Sequence, residues 1–117
     1  MPHNFEGIAQ GETWSVEFLV KDAAGDPDDL TGRNVTFIIR DDISVLARIA
    51  DTGTSTGGEF QVTAAEGRIV VTVNSDVTAA IGVSADWALW LDENAPTTAD
   101  AVTWGKIYTA KVAKSDA

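Results

Sequence analysis

The sequence contains no cysteine and only one histidine, His3. The first absence excludes a disulfide framework, thiol catalysis and any thiolate metal site. The second excludes a histidine-rich zinc centre and leaves the body of the chain without a base for a Ser-His-Asp triad. No apolar run approaches the roughly 20 residues that a membrane-spanning helix requires. The opening MPHNFEGIAQ has no basic stretch followed by an apolar one, so no secretory signal is expected. Positive charge is also scarce. Eight Lys and Arg face 18 Asp and Glu, a formal charge of −10. A field of that sign repels a phosphate backbone and an anionic membrane surface, so neither nucleic acid nor membrane is expected as a partner. The imbalance is heavier in residues 1–60, with 11 acids and 4 bases, than in residues 61–117, with 7 and 4.

What is present suits one domain. A chain of 117 residues with 44% hydrophobic content can bury a core of its own. Its dominant hydrophobic period is two, the signature of strands that bury one face. In residues 13–21, Trp14, Val16, Phe18 and Val20 alternate with Ser15, Glu17, Leu19 and Lys21. Residues 34–40 alternate again, with Val35, Phe37 and Ile39 as the buried set. Weaker strands are expected over 44–50 and 59–63, and a central one over Arg68–Val73, where β-branched residues dominate. Two more are expected over 87–91 and 102–112, the last interrupted near Gly105.

Turn chemistry separates these runs. Asp22, Gly25 and Pro27 make a reversal, with Leu30 as its one large apolar residue and a plug for one end of the core. Residues 51–58, DTGTSTGG, hold no core former and predict a mobile connection; residues 64–67 predict a turn. The single helical signal spans 75–81, with Ser75 as cap and Gly82 as stop. About seven short strands, one helical turn and no strand–helix–strand rhythm predict an all-β fold, a single antiparallel β-sandwich of immunoglobulin-like type. The domain is expected over 8–113, after an N-terminal arm of 1–7 and before a tail of 114–117.

The order of segments carries a resemblance. Residues 8–40 read I-A-Q-G-x-T-W-S-V-E-F-x-V-K-D-A-A-G-D-P-x-D-L-T-G-R-x-V-x-F-x-I-R. Later come E-G-R-I-V-V-T-V at 66–73, S-x-x-T-A-A-I at 75–81, W-A-L-W-L at 87–91 and W-G-K-I-Y at 104–108. This pattern resembles the N-terminal domain of the baseplate upper protein family of tailed bacteriophages, over about residues 8–112. The resemblance implies a β-sandwich that oligomerises, with a trimer preferred, and attaches receptor-binding parts to other phage structural proteins. The chain ends just after the sandwich, without the helical stalk of longer members. A stand-alone adaptor, plug or decoration subunit of the virion is therefore expected, in the tail, the baseplate or at fibre attachment.

Candidate constellations are few. Asp22, Asp26, Asp28 and Asp29 invite a calcium reading, but the D-x-D-x-D-G spacing and the downstream bidentate Glu are missing, so solvated turn acids are expected. Asp41 and Asp42 are adjacent, and on a continuous strand they would point to opposite faces, so they cannot share a glycosidase cleft. The four tryptophans say more. Trp14 and Trp87 fall on core stripes. Trp90 falls on the face opposite Trp87, open to a protein interface, a core role or sugar stacking, and Trp104 alternates with Lys106 and Tyr108. Arg33, Arg40, Arg48 and Arg68 are expected in salt bridges. The interface candidates are Trp90, Trp104, Tyr108 and Arg40. No catalytic, metal or cofactor residue is identified, so the chain is expected to work by binding and not as an enzyme. A capsid decoration protein and a carbohydrate-binding module using Trp90 or Trp104 are the alternatives.

Overall fold

Alternating side chains close this chain into two packed sheets. A computed structural model describes residues 3–22, 24–50, 55–82, 84–92 and 100–110. The strands are β1 (Phe5–Ala9), β2 (Trp14–Leu19), β3 (Val35–Arg40), β4 (Val45–Ala50), β5 (Gly58–Thr63), β6 (Arg68–Val73), β7 (Ser84–Leu91) and β8 (Asp100–Ala110). A short helix, α1 (Ser75–Ala80), joins β6 to β7. One sheet has five strands in the order β1-β8-β7-β3-β4, the other three in the order β2-β6-β5. The result is an all-β, sandwich-like domain.

The core follows the stripes. Val35, Phe37 and Ile39 of β3, Ile69, Val71 and Val73 of β6, and Trp87, Leu89 and Leu91 of β7 are all buried. Across the layers, Trp14 and Phe18 of β2 meet Phe37, and Phe37 stacks on Trp87 with ring centroids 5.8 Å apart. Aromatic pairs of this kind add about 0.5–1.5 kcal/mol each beyond the area they bury. Leu30 plugs its end of the core at 2% exposure. The 64–67 turn is a 3-10 turn that ends on Gly67 at φ 63°. A Cβ at Gly67 would stand 2.4 Å from the Val20 carbonyl oxygen, so that backbone approach requires glycine.

Four expectations are corrected. A strand starts at Phe5, inside the stretch read as an arm, and β1 pairs with β8 in parallel, so the larger sheet is mixed and the described residues hold eight strands. The residue at the start of α1 is Asn74, in extended conformation and without a side-chain capping bond, in place of Ser75. The helix ends at Ile81 in extended conformation, so Gly82 is not its stop. Gly105 does not interrupt β8. Its missing side chain admits the N-terminal backbone, because a Cβ there would lie 1.9 Å from the His3 carbonyl oxygen. Residues 51–54 of the predicted connection and the tail at 114–117 lie outside the described residues.

Helix α1 covers one end of the sandwich. Val77 and Ile81 enter the core, and Thr78 is fully buried. The Thr78 hydroxyl accepts the Gly11 amide at 3.1 Å and donates to the Glu12 carbonyl at 2.7 Å, tying the helix to the β1–β2 turn.

Candidate functional site

The face of the five-stranded sheet that points away from the core is built by the residues left over from the buried stripes. Period two sends Thr36, Ile38 and Arg40 of β3 outward, with Asp86, Ala88 and Trp90 of β7 beside them. Antiparallel register then lines them up in rows. Val45, Arg40, Asp86 and Lys106 form one row across β4, β3, β7 and β8. Arg48, Ile38, Ala88 and Trp104 form the next, and Ala50, Thr36, Trp90 and Ala101 the third. Tyr108 stands opposite Ser84, beyond Lys106. Directly opposite residues in such rows hold their Cβ atoms about 5 Å apart, so each row is a contact chain.

All four interface candidates, Trp90, Trp104, Tyr108 and Arg40, therefore share one face, from three different strands. Trp104, whose side was undecided in the sequence, stands on it at 44% exposure, and Trp90 is half-buried there. Two bulges set this arrangement. One, between Ile39 and Arg40, brings Val45 opposite Arg40; the other, between Leu89 and Trp90, brings Ala101 opposite Trp90. A bulge breaks period two, which is why alternation alone could not show the face as a unit. Sequence reasoning missed Ile38, Val45 and Ala88, since each looks like an ordinary strand residue until the register is known.

The middle of the face is a shallow groove of about 480 Å³, lined by Ile38, Arg40, Val45, Arg48, Asp86, Trp87, Ala88 and Trp90. Lys106 donates to Asp86 at 2.9 Å, and this bond holds the Lys106 ammonium above its ordinary 10.5. Arg40 and Arg48 border the groove together with Asp86. Among the described residues, large apolar side chains are exposed at Leu19, Ile43, Val45 and Trp104. Trp104 and Val45 belong to this face, and Ile43 projects beside it from the β3–β4 turn at 91% exposure.

The other sequence candidates serve local structure. Asp22 accepts the Ala24 and Asp26 amides at 2.9 and 3.1 Å and shapes its own turn. Asp41 lies just past the end of β3, not within a strand, and accepts the Ile43 and Ser44 amides at 2.8 and 2.7 Å. Arg33 pairs with Asp92 across β3 and β7, and Arg68 pairs with Glu17 at 2.6 Å. Among the described residues no three His, Asp or Glu side chains gather into a group that could hold a metal ion. No protein-family model and no curated protein sequence matches this chain.

Proposed function

We propose that this chain is a non-catalytic assembly module that binds protein through the outer face of its five-stranded sheet. The observation that carries the reading is the concentration of exposed apolar side chains. Trp104 and Val45 on the face, and Ile43 at its rim, are three of the four large hydrophobics exposed among the described residues. Half-buried Trp90 lies among them. An aromatic-centred patch with an arginine rim has the composition of a protein interface core. The resemblance in residues 8–112 supplies the setting. The chain would be a virion structural protein of a tailed bacteriophage or prophage, with an immunoglobulin-like sandwich, acting as a homo-oligomeric adaptor in the tail, baseplate or fibre attachment. A trimer is the preferred assembly.

Sedimentation of the full chain tests the interface. Trp104→Ala combined with Val45→Ser should weaken self-association about tenfold or more while leaving the melting temperature nearly unchanged, because exposed residues contribute little to folding. An unaltered oligomer would remove this face from the assembly. The virion setting is tested by following a tagged copy through particle purification on a density gradient. Absence of the chain from intact particles would overturn it.

A further inference from the structure

We infer that the free edge of β2 and the cleft beside it receive a single extended strand of a partner protein, one whose apolar side chains alternate with polar ones. The site lies apart from the outer face of the larger sheet, so the two readings stand or fall separately.

Hydrogen-bond direction selects the kind of ligand. β2 ends the smaller sheet, with β6 on one side of it. The Val20 amide donates to the Gly67 carbonyl at 2.8 Å, in the register that runs along β2 and β6. Bonded positions alternate in an antiparallel ladder, so Trp14, Val16 and Phe18 direct their amides and carbonyls to β6. On the far side of β6, the bond from the Asn74 amide to the Gly57 carbonyl fixes the same alternation independently. Ser15, Glu17 and Leu19 direct theirs outward, about 7 Å apart along the strand. Among the described residues no strand pairs with that side. Donors and acceptors repeating at this spacing match the backbone of another strand.

The cleft supplies the side-chain half of the site. Residues 16–20, consecutive in the chain, all line a cleft of about 360 Å³. Only the edge of a strand presents consecutive residues, because its faces present alternate ones. Phe5, Trp87, Leu89 and Val102 give the cleft apolar walls, beside His3 and Thr103. It exists because the two layers differ in width. Phe18 of β2 packs on Trp87 of β7, with ring centroids 5.5 Å apart, and the larger sheet continues past β7 to β8 and β1. A strand added beside β2 lies over that extension and drops every second side chain into the cleft. The inward residues Trp14, Val16 and Phe18 are only half-buried, whereas the inward stripes of β3, β6 and β7 are sealed. Leu19, at 58% exposure, is the one large exposed hydrophobic residue among the described residues that lies away from the outer face, and it sits on this edge.

The same difference in width argues against a second copy of β2 as the occupant. Two β2 strands paired edge to edge lie about 4.8 Å apart. Each copy carries β8 and β1 past its own β2, so those strands of both copies would compete for one space. A lone extended segment meets no such obstacle.

The experiment begins with amide hydrogen exchange of the full-length chain, resolved by residue with NMR over a concentration series. The Val16 and Phe18 amides should be protected, and the Ser15, Glu17 and Leu19 amides should exchange freely at every concentration. Protection of the second set in dilute protein, or protection that grows with concentration, would show the edge covered by the chain itself or by a second copy and would overturn the inference. Immobilised protein then selects from a library of random nonapeptides. Selected peptides should carry apolar residues at every second position and should protect Ser15, Glu17 and Leu19 when added. N-methylation of alternate peptide amides should abolish binding in one of its two registers and spare it in the other. Ser15→Pro removes an outward amide and leaves the β6 ladder whole, as edge strands allow. Val102→Lys places a charge in the cleft from the opposite sheet. Each should weaken peptide binding about tenfold or more, with the fold retained by circular dichroism. The inference fails if no selected peptide protects these amides, if methylation is tolerated in both registers, or if both folded variants bind as the wild type does.

Discussion

Thr78 is a polar side chain sealed from solvent, yet its hydroxyl has partners in every direction that matters. It receives the Gly11 amide and gives its proton to the Glu12 carbonyl, with the Ser75 carbonyl also in reach at 3.0 Å. Replacing it with valine keeps the shape and strands two backbone groups. Thr78→Val should therefore cost about 1–3 kcal/mol in chemical denaturation, whereas Thr78→Ser should retain most of the stability. The sequence offered Thr78 only as part of a helical turn, because a buried hydroxyl cannot be told from an exposed one without its partners. Trp87 was easier to place. Its position on the stripe with Leu89 and Leu91 marks it as core, and it is 2% exposed. What the stripe could not show is that its indole N–H donates to the His3 carbonyl at 2.9 Å, so that a core ring also fastens the start of the chain.

At the level of elements, strands with clean alternation were legible and irregular ones were not. β2 and β3 lie where Trp14, Val16, Phe18 and Val35, Phe37, Ile39 predict them. β1 was hidden because FEGIA puts only Phe5 and Ile8 toward the core, with a register shift between them. Its parallel pairing was hidden for a different reason. Parallel neighbours are expected from crossover helices, and here the pair joins the first strand to the last. The β3–β4 turn shows how a short connection is held. The Ser44 and Ile43 amides donate to the Asp41 carboxylate and keep it charged below its ordinary 3.8. A carboxyl depressed on folding stabilises the native state above its unfolded value, and that contribution is lost as pH falls through the folded value. Asp41→Ala should therefore lower the melting temperature at neutral pH. The gap to the wild type should shrink as the solution is taken below about pH 3.8, and a gap constant across that range would show that the carboxylate charge plays no part.

Over the whole molecule, the two sheets differ in what their outer surfaces present. The three-stranded sheet turns Ser15, Glu17, Glu59, Gln61 and Thr72 outward with Leu19 and Val70, while the five-stranded sheet presents two tryptophans, Ile38 and two arginines beside the Asp86–Lys106 pair. The all-β class and the core were readable in the sequence because burial imposes a period. The candidate face was only partly readable. Its tryptophans were visible as residue types, but the rows that gather them depend on register and on two bulges. The union of first and last strands has a mechanical consequence. β1 and β8 run in the same direction, and the ladder continues from the His3 amide on the Trp104 carbonyl to the Gln10 amide on the Ala110 carbonyl. Tension applied at opposite termini slides these strands along each other, so the bonds share the load and must rupture together instead of peeling one by one. In an optical trap the domain should yield in a single high-force step when pulled from residues 3 and 110. It should yield at a lower force when pulled across the sheet from β4 and β1.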